Sequence, residues 1–537
     1  MHFQLRHPAV GAILRSCRPI LIHSTQQQFF SWGYSVPSQQ LSEDTTDESL
    51  TGRSHPGGRF KSICSGYIAK IKHWTGIDRA IAFTVLARCW SALAGVVTVL
   101  LIAHFLTPSE QGYYYTFFSL VALQVVFELG FTFVIIQMAA HERAPLSLTA
   151  EGLVRGGERA HSRLASVLQT SVRWYTVVAM LMLAAVLPAG LHFFAAHGQP
   201  GMAEGWRAPW FSLVVASAIT FQLDPVCAFL EGCGFVSNIA HMRFLQALVG
   251  SVLAWTAMLT HHGLFSPAML ILGNAVVQIG YLSQRPFRRL LTGLLRRDVA
   301  GNVVSWKHEI WPFQWRIAVT WLSSYFTVQL INPVLFLFRG PVAAGRMGMS
   351  LSIANSIGTV GLAWMSTKAA PFGSLIARGE TSALDSLFSR TLLQSIALLS
   401  TACAGFFVCL SIGGRFLPHL AARVLPSWAF ALLLVTTLLN HVFFSEALYL
   451  RAHKREPLLV QAVVVAVLMG ISTCISARFW GASGITVGYF LFAGVLSVAW
   501  GTHTFVAKRR EWYREPKPHD ALYPPAVSPT PENPPAN

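Results

Sequence analysis

Ala103 to Glu142 reads AHFLTPSEQGYYYTFFSLVALQVVFELGFTFVIIQMAAHE: two apolar runs meet through a short polar turn, and the second run carries a carboxylate, Glu128. Each run belongs to an apolar segment that reaches the roughly 20 residues an α-helix needs to cross a hydrocarbon core. The same layout returns about 233 residues later, in GPVAAGRMGMSLSI at Gly340 to Ile353. There Pro341, Gly345 and Ser352 take the places of Pro108, Gly112 and Ser119. A turn between two spans that recurs at such an interval points to a chain built from two related halves.

Composition agrees with membrane spans. Hydrophobic residues make up 53% of the chain and charged residues 12%, with a mean hydropathy of +0.49, whereas a soluble domain carries roughly 25% charge. Apolar runs near 81–106, 113–139, 164–190, 208–230, 237–260, 264–284, 312–338, 342–367, 391–412, 427–450, 457–477 and 484–506 are candidate spans. They are uniformly long and lack strand-like alternation, so in lipid they satisfy their backbone amides as helices and not as a barrel. The expected fold is an all-α integral membrane protein, with about twelve transmembrane helices in two parallel six-helix halves around a central cavity.

The formal net charge is +17. In a soluble protein that excess would raise nucleic acid, but its distribution answers differently. Arg143, Arg155, Arg159 and Arg163 follow span 2, and Arg285, Arg288, Arg289, Arg296, Arg297 and Lys307 follow span 6. The loops on the opposite face hold few positive charges. By the positive-inside rule both termini are expected in the cytoplasm, and no nucleic-acid partner is expected. The eight cysteines stand singly, without metal-type spacing, so neither a disulfide framework nor a metal site is supported.

The organisation expected is an N-terminal cytoplasmic extension over 1–78, a first six-helix half over 79–284, a basic cytoplasmic linker over 285–311, a second half over 312–507 and a Pro-rich tail over 508–537. The extension is polar and lacks the apolar region of a secretory signal, and both it and the tail are expected to be disordered. Spans 4 and 10 echo each other weakly, with AFLEGCG ending one and ALYLRAHKR ending the other.

The order FLTPSEQGYY, FELG, IQMAA, then LEGCGFV at Leu230 to Val236, then AGRMGMSLSI with Trp364 and Pro371, resembles the polysaccharide flippases. These are the O-antigen and exopolysaccharide translocases of the multidrug/oligosaccharidyl-lipid/polysaccharide exporter superfamily. The resemblance covers roughly 80–505; Glu128 stands where that family commonly has Asp, and the long N-terminal extension departs from it. It implies a bacterial cytoplasmic (inner) membrane protein that moves a lipid-linked oligosaccharide across the bilayer. Polysaccharide polymerase and chain-length machinery are the implied protein partners. The loop after span 2, HERAPLSLTAEGLVRGGERAHSR, lacks the pattern of the major facilitators. A cation-coupled drug exporter of the same superfamily is the alternative.

Ionisable groups within spans cost about 2.5 to 3.5 kcal/mol each on the insertion scale, so each needs a partner or a wet cavity. Six stand out: Arg88, Arg173, Arg316, Glu128, Asp224 and Glu446, all in the cytoplasmic half of their helices on the expected topology. Arg88, Arg173 and Arg316 are the candidate substrate-binding residues, because a guanidinium makes bidentate bonds to a pyrophosphate and stays charged at depth. The structural alternative pairs Arg88 with Glu128 on the neighbouring helix and lets Arg173 snorkel. Glu128 and Asp224 are candidate carboxylates for a coupling ion, proton or sodium, or for a helix-packing ion pair. Pro225 adds a hinge beside Asp224. Trp311 and Trp315 mark a membrane interface, while Trp321, Tyr325 and Trp364 either stack on sugar or pack.

No P-loop, HExxH or nucleophile elbow occurs, so no catalytic residue and no cofactor is expected. A membrane-embedded polysaccharide polymerase or glycosyltransferase is the rival of another class. Polymerases usually carry one large outer loop, and the outer loops here are short.

Overall fold

The computed structural model describes residues 79–149, 154–198, 205–299, 311–416, 418–453 and 457–514. The expected disordered extension, residues 300–310 of the basic linker and the Pro-rich end of the tail lie outside them.

In chain order the first half contains α1 (Arg79–Phe105), α2 (Pro108–Val121), α3 (Gln124–Glu128), α4 (Phe131–Arg143), α5 (Glu158–His197), α6 (Arg207–Gly232), α7 (Val236–Leu259) and α8 (Ser266–Leu282). A two-stranded antiparallel ribbon, β1 (Ser147–Leu148) with β2 (Val154–Arg155), precedes α5. A short helix, α9 (Arg285–Leu295), follows α8. The second half contains α10 (Trp311–Ser324), α11 (Ile331–Ser366), α12 (Ala369–Arg378), α13 (Thr381–Phe416), α14 (Pro418–Ala421), α15 (Ser427–Ala452), α16 (Leu459–Phe479), α17 (Gly481–Tyr489) and α18 (Ser497–Arg514). π-Helical segments join α10 to α11 at Tyr325–Gln329 and α17 to α18 at Phe490–Leu496.

Among the described residues ten helices are long and apolar enough to cross a membrane, and the bent pair Pro108–Glu128 and Phe131–Arg143 adds an eleventh. The longest of the ten runs through Gly340, whose φ of 81° and ψ of 178° are not helical. That position favours glycine because a Cβ is strained at positive φ. Pro341, lacking an N–H, begins a new run immediately after it. Twelve apolar runs are read from the sequence; among the described residues ten helices, or eleven with the bent pair, are long and apolar enough to span. The protein is therefore a multi-pass, all-α membrane protein.

Span 2 departs from the sequence reading in two ways. The segment read as a polar turn, Pro108 to Tyr115, is the first two turns of α2. Thr107 caps it: its Oγ1 accepts from Glu110 N at 3.2 Å, and its own N–H donates to the Glu110 carboxylate at 2.8 Å. Such a reciprocal box satisfies two otherwise orphaned donors, and an N-cap of this kind stabilises a helix by about 1 kcal/mol. The connection from α1 is thus only Leu106 and Thr107. The second departure is that span 2 is not one continuous helix. Leu129 and Gly130 both adopt left-handed conformations, φ 51° and 70°, and the axis bends by 45° between α3 and α4.

Two lobes form, with one large buried cluster mainly in the first, a second mainly in the second half and a smaller third around Phe372, Phe388 and Tyr449. Phe117, Phe131, Tyr175, Phe194, Trp210 and Phe229 are among the buried residues of the first, and Leu335, Met347, Leu399, Phe430, Met469 and Ile485 among those of the second. The lobes meet where the two repeat motifs meet. A Cβ on Gly112 would lie inside the Pro341 carbonyl, and one on Gly345 would stand 2.8 Å from Gly112 N. Tyr115 fills the space beside Gly348, where a Cβ would approach its ring to 2.5 Å. Buried Gln111 donates to Gly345 O at 2.8 Å and to Arg423 O at 2.9 Å, and Arg423 donates to Leu106 O at 2.6 Å. One turn deeper, Asn332 donates to Ser119 Oγ at 3.1 Å and Tyr325 to Ser119 O at 3.3 Å.

Outward faces of the spans carry large apolar side chains, such as Leu93 and Val96 on α1 and Leu393 on α13. Such surface is stable only against lipid.

The two glycines are expected to be intolerant of any side chain. Gly112→Ala and Gly345→Ala should each destabilise the purified protein by about 1–3 kcal/mol, the usual cost of overpacking. Gly293→Ala and Gly373→Ala, where a Cβ meets nothing within 4 Å, should be neutral or stabilising. Thermal unfolding in detergent checks the contrast, and equal melting of all four variants would refute it.

Candidate functional site

The break in span 2 leaves non-helical backbone at membrane depth, which lipid does not tolerate and only a protein interior or a wet cavity does. Glu128 is the last residue of α3, at the lip of that break, and is half-buried. Its Oε1 accepts from Thr132 Oγ1 at 2.5 Å, and Thr132 Oγ1 is 2.8 Å from the Tyr175 hydroxyl on α5. The Tyr175 ring is held by Phe131, stacked at 6.0 Å, and by Phe221 at 4.9 Å.

Asp224 enters the same region from α6, one turn beyond Phe221, whose ring packs on Tyr175. Its position on the helix is informative. Ser217, Phe221, Cys227, Ala228 and Glu231 share its face of α6 and are all buried, yet Asp224 itself is exposed. Asp224 is thus an exposed position on a face of α6 that is otherwise packed into the first lobe. Gln278 on α8 donates to Asp224 Oδ1 at 3.2 Å and to Cys227 Sγ at 3.1 Å. Pro225 leaves the Phe221 carbonyl without its helical donor. One turn on, Glu231 is bonded to Arg243 at 2.8 Å. Two carboxylates, a hydroxyl, a buried phenol and a buried amide thus gather from α3, α6, α4, α5 and α8. Such a set is suited to exchanging a proton or holding a small cation, since the carboxylates lack a basic partner as close as the one Glu231 has.

The structure brings together two of the sequence candidates, Glu128 and Asp224, and separates the arginines from them. Arg88 is half-buried on α1 and donates to Ser366 Oγ at 3.1 Å, tying α1 to the end of α11. The pairing of Arg88 with Glu128 does not form, because Glu128 takes its bond from Thr132 one helical turn away. Arg173 is exposed on α5 in line with exposed Val177, Met180 and Leu181, an apolar outer stripe. Arg316 lies in α10, and its side chain is outside the described residues. Glu446 is buried and accepts from Thr502 at 2.8 and 3.1 Å. Trp321 and Tyr325 are buried in packing, whereas Trp364 is 46% exposed.

Sequence reasoning passed over Thr132, Tyr175 and Gln278. Thr132 was open to discovery as the i+4 neighbour of Glu128 on a helix, had the span been continuous. Gln278, an amide in the apolar run of α8, carried the same warning as a buried charge.

No protein-family model matches the chain, and no curated protein matches it. Solved structures do match. An inward-facing multidrug resistance MATE family transporter of the MOP superfamily is 15% identical at a TM-score of 0.60, covering 81% of this chain and 99% of that one. The lipid II flippase MurJ, in an inward closed conformation, is 12% identical at a TM-score of 0.56, covering 79% of this chain and 87% of that one. A MATE multidrug transporter in complex with R6G is 15% identical at a TM-score of 0.53, covering 81% and 96%. At these identities the likeness establishes the fold: this chain shares the two-lobed helical bundle of those transporters.

The exposure of Asp224 can be probed by cysteine labelling in a cysteine-less background. Asp224→Cys should react with a small hydrophilic thiol reagent, while Ser217→Cys, on the same face but buried, should be protected at least tenfold. Equal protection of both would show that Asp224 is sealed from water.

Proposed function

We propose that this chain is a membrane transporter, a flippase that carries lipid-linked oligosaccharide units across its bilayer by alternating access. The observation that carries the reading is the pairing of Gly112 with Gly345, which holds the two lobes together at the ends of the repeated spans. Lobes joined at one end can rock about that end, which is the motion by which a two-lobed transporter exposes its interior to one side at a time. The likeness to a lipid II flippase and to multidrug transporters supports transport as the class.

Within this reading Arg88, and Arg316 on the equivalent span, receive the anionic pyrophosphate. Arg88 reaches Ser366 Oγ through one nitrogen, and the planar fork of a guanidinium matches two oxygens of a phosphate at once. Glu128 and Asp224 serve the coupling ion, proton or sodium. The substrate's hydroxyls, each costing a few kcal/mol or more if taken unpaired into hydrocarbon, require the polar interior that the lobes enclose. We place the protein in the bacterial cytoplasmic membrane with both termini cytoplasmic, alongside polysaccharide polymerase and chain-length partners.

A second reading, export of a cationic small molecule, is favoured by one specific observation: the first lobe carries two carboxylates within its spans, half-buried Glu128 and exposed Asp224, that are bonded to neutral side chains.

Reconstituted vesicles distinguish the two. With a fluorescent lipid-linked pyrophosphate oligosaccharide, Arg88→Ala and Arg316→Ala are expected to lower translocation more than tenfold while membrane insertion is unchanged. Wild-type rates in both variants would assign the arginines to structure. Cation-driven accumulation of a cationic dye, abolished by Asp224→Asn and with no movement of the glycolipid, would establish the exporter instead.

A further inference from the structure

Helix α9 follows α8 after only Ser283 and Gln284, so it lies at the level where a spanning helix leaves the bilayer. Its sequence, RPFRRLLTGLL, divides cleanly. Phe287, Leu290, Leu291 and Leu294 are buried against the first lobe, with Phe287 edge-on to Phe235 at 5.3 Å and stacked on Tyr281 at 5.7 Å. Buried Gln169 on α5 clamps its C-terminal end, donating to Leu294 O at 2.9 Å and Arg297 O at 2.8 Å. The helix is therefore seated rigidly, and its apolar face is already used by the protein.

What remains outward is basic. Arg285, Arg288, Arg289 and Arg296 are exposed, and none has an acidic partner among the described residues. Exposed Arg155 and Arg159 flank the start of α5, whose first residue, Glu158, pairs with Arg297 just beyond α9. Glu158 is thereby taken, and Asp298, next to Arg297, is itself engaged. Four unpaired guanidiniums within twelve residues repel one another unless a negative surface faces them.

We propose that α9 is a docking face for anionic phospholipid headgroups, four arginines held at headgroup level by a helix that cannot itself insert. The occupant is a lipid and not a soluble anion because α9 abuts the end of a spanning helix, where phosphodiesters are permanently concentrated. Each guanidinium offers a forked donor pair to a phosphate oxygen pair. The interaction is electrostatic, so it weakens with salt.

Native mass spectrometry of the full-length, delipidated protein tests this, titrating phosphatidylglycerol against phosphatidylcholine. The wild type is expected to bind phosphatidylglycerol preferentially, with a loss of about fivefold for each arginine removed. The Arg285→Gln, Arg288→Gln, Arg289→Gln and Arg296→Gln quadruple variant should bind the two lipids equally, and Arg378→Gln with Arg390→Gln, on the other lobe, should change nothing. Should the quadruple variant fail to elute as a monodisperse peak, the Arg288→Gln and Arg289→Gln pair serves, with an expected loss above tenfold. Equal binding of both lipids by the wild type, or full preference retained by these variants, would overturn the proposal. Displacement of phosphatidylglycerol by inorganic pyrophosphate at constant ionic strength would overturn it too, identifying a soluble-anion site.

Discussion

The two lobes touch through glycine. Gly112 and Gly345 stand at equivalent places in the repeat, and neither can carry a Cβ because the backbone of the other lobe occupies the space. That contact lets the starts of α2 and of the post-Gly340 part of α11 approach at backbone distance, and the polar bonds around it depend on the approach. Gln111 reaches Gly345 O and Arg423 O, and Arg423 reaches Leu106 O, only because the helices are this close. Arg423 pays a desolvation cost there: burial lowers its pKa, with Glu110 opposing the shift. Small residues at a helix crossing are the usual solution in lipid, where no hydrophobic force drives helices together and close packing must do so.

From this end the spans run toward groups that lipid would not accept alone. The break at Leu129 and Gly130 is the main irregularity in the first lobe, and it presents Glu128 to Thr132 and Tyr175. Thr132, four residues on and across the 45° bend, supplies the donor to Glu128, while Arg88 joins α1 to Ser366 at the end of α11.

The surface carries a third chemistry. Apolar side chains line the outer faces of the spans, and α9 places arginines at their end. Its amphipathicity is directed at the protein on the apolar side and at charge on the other, which distinguishes it from a helix that anchors by insertion.

Composition, span length and the interval between the two Pro-x-x-x-Gly motifs were enough to read a twelve-span, two-part membrane protein, because each depends on local backbone and solvent physics. In lipid a long apolar run has to satisfy its amides within itself. The duplication was legible for the same reason: Pro341 and Gly345 repeat Pro108 and Gly112 in type and spacing. Of the candidate site, the identities of Glu128 and Asp224 were legible, since a carboxylate in an apolar run announces itself. Their meeting was not, nor was the part played by Thr132, Tyr175 and Gln278, for the five residues lie on five different helices whose rotations about their axes are set by packing. The sequence by itself determined which segments cross the membrane and which costly charges they carry. Tertiary structure alone decided which charge faces which, because a left-handed Leu129 and two glycines without room for a Cβ set the bend and the approach of the helices that bear them.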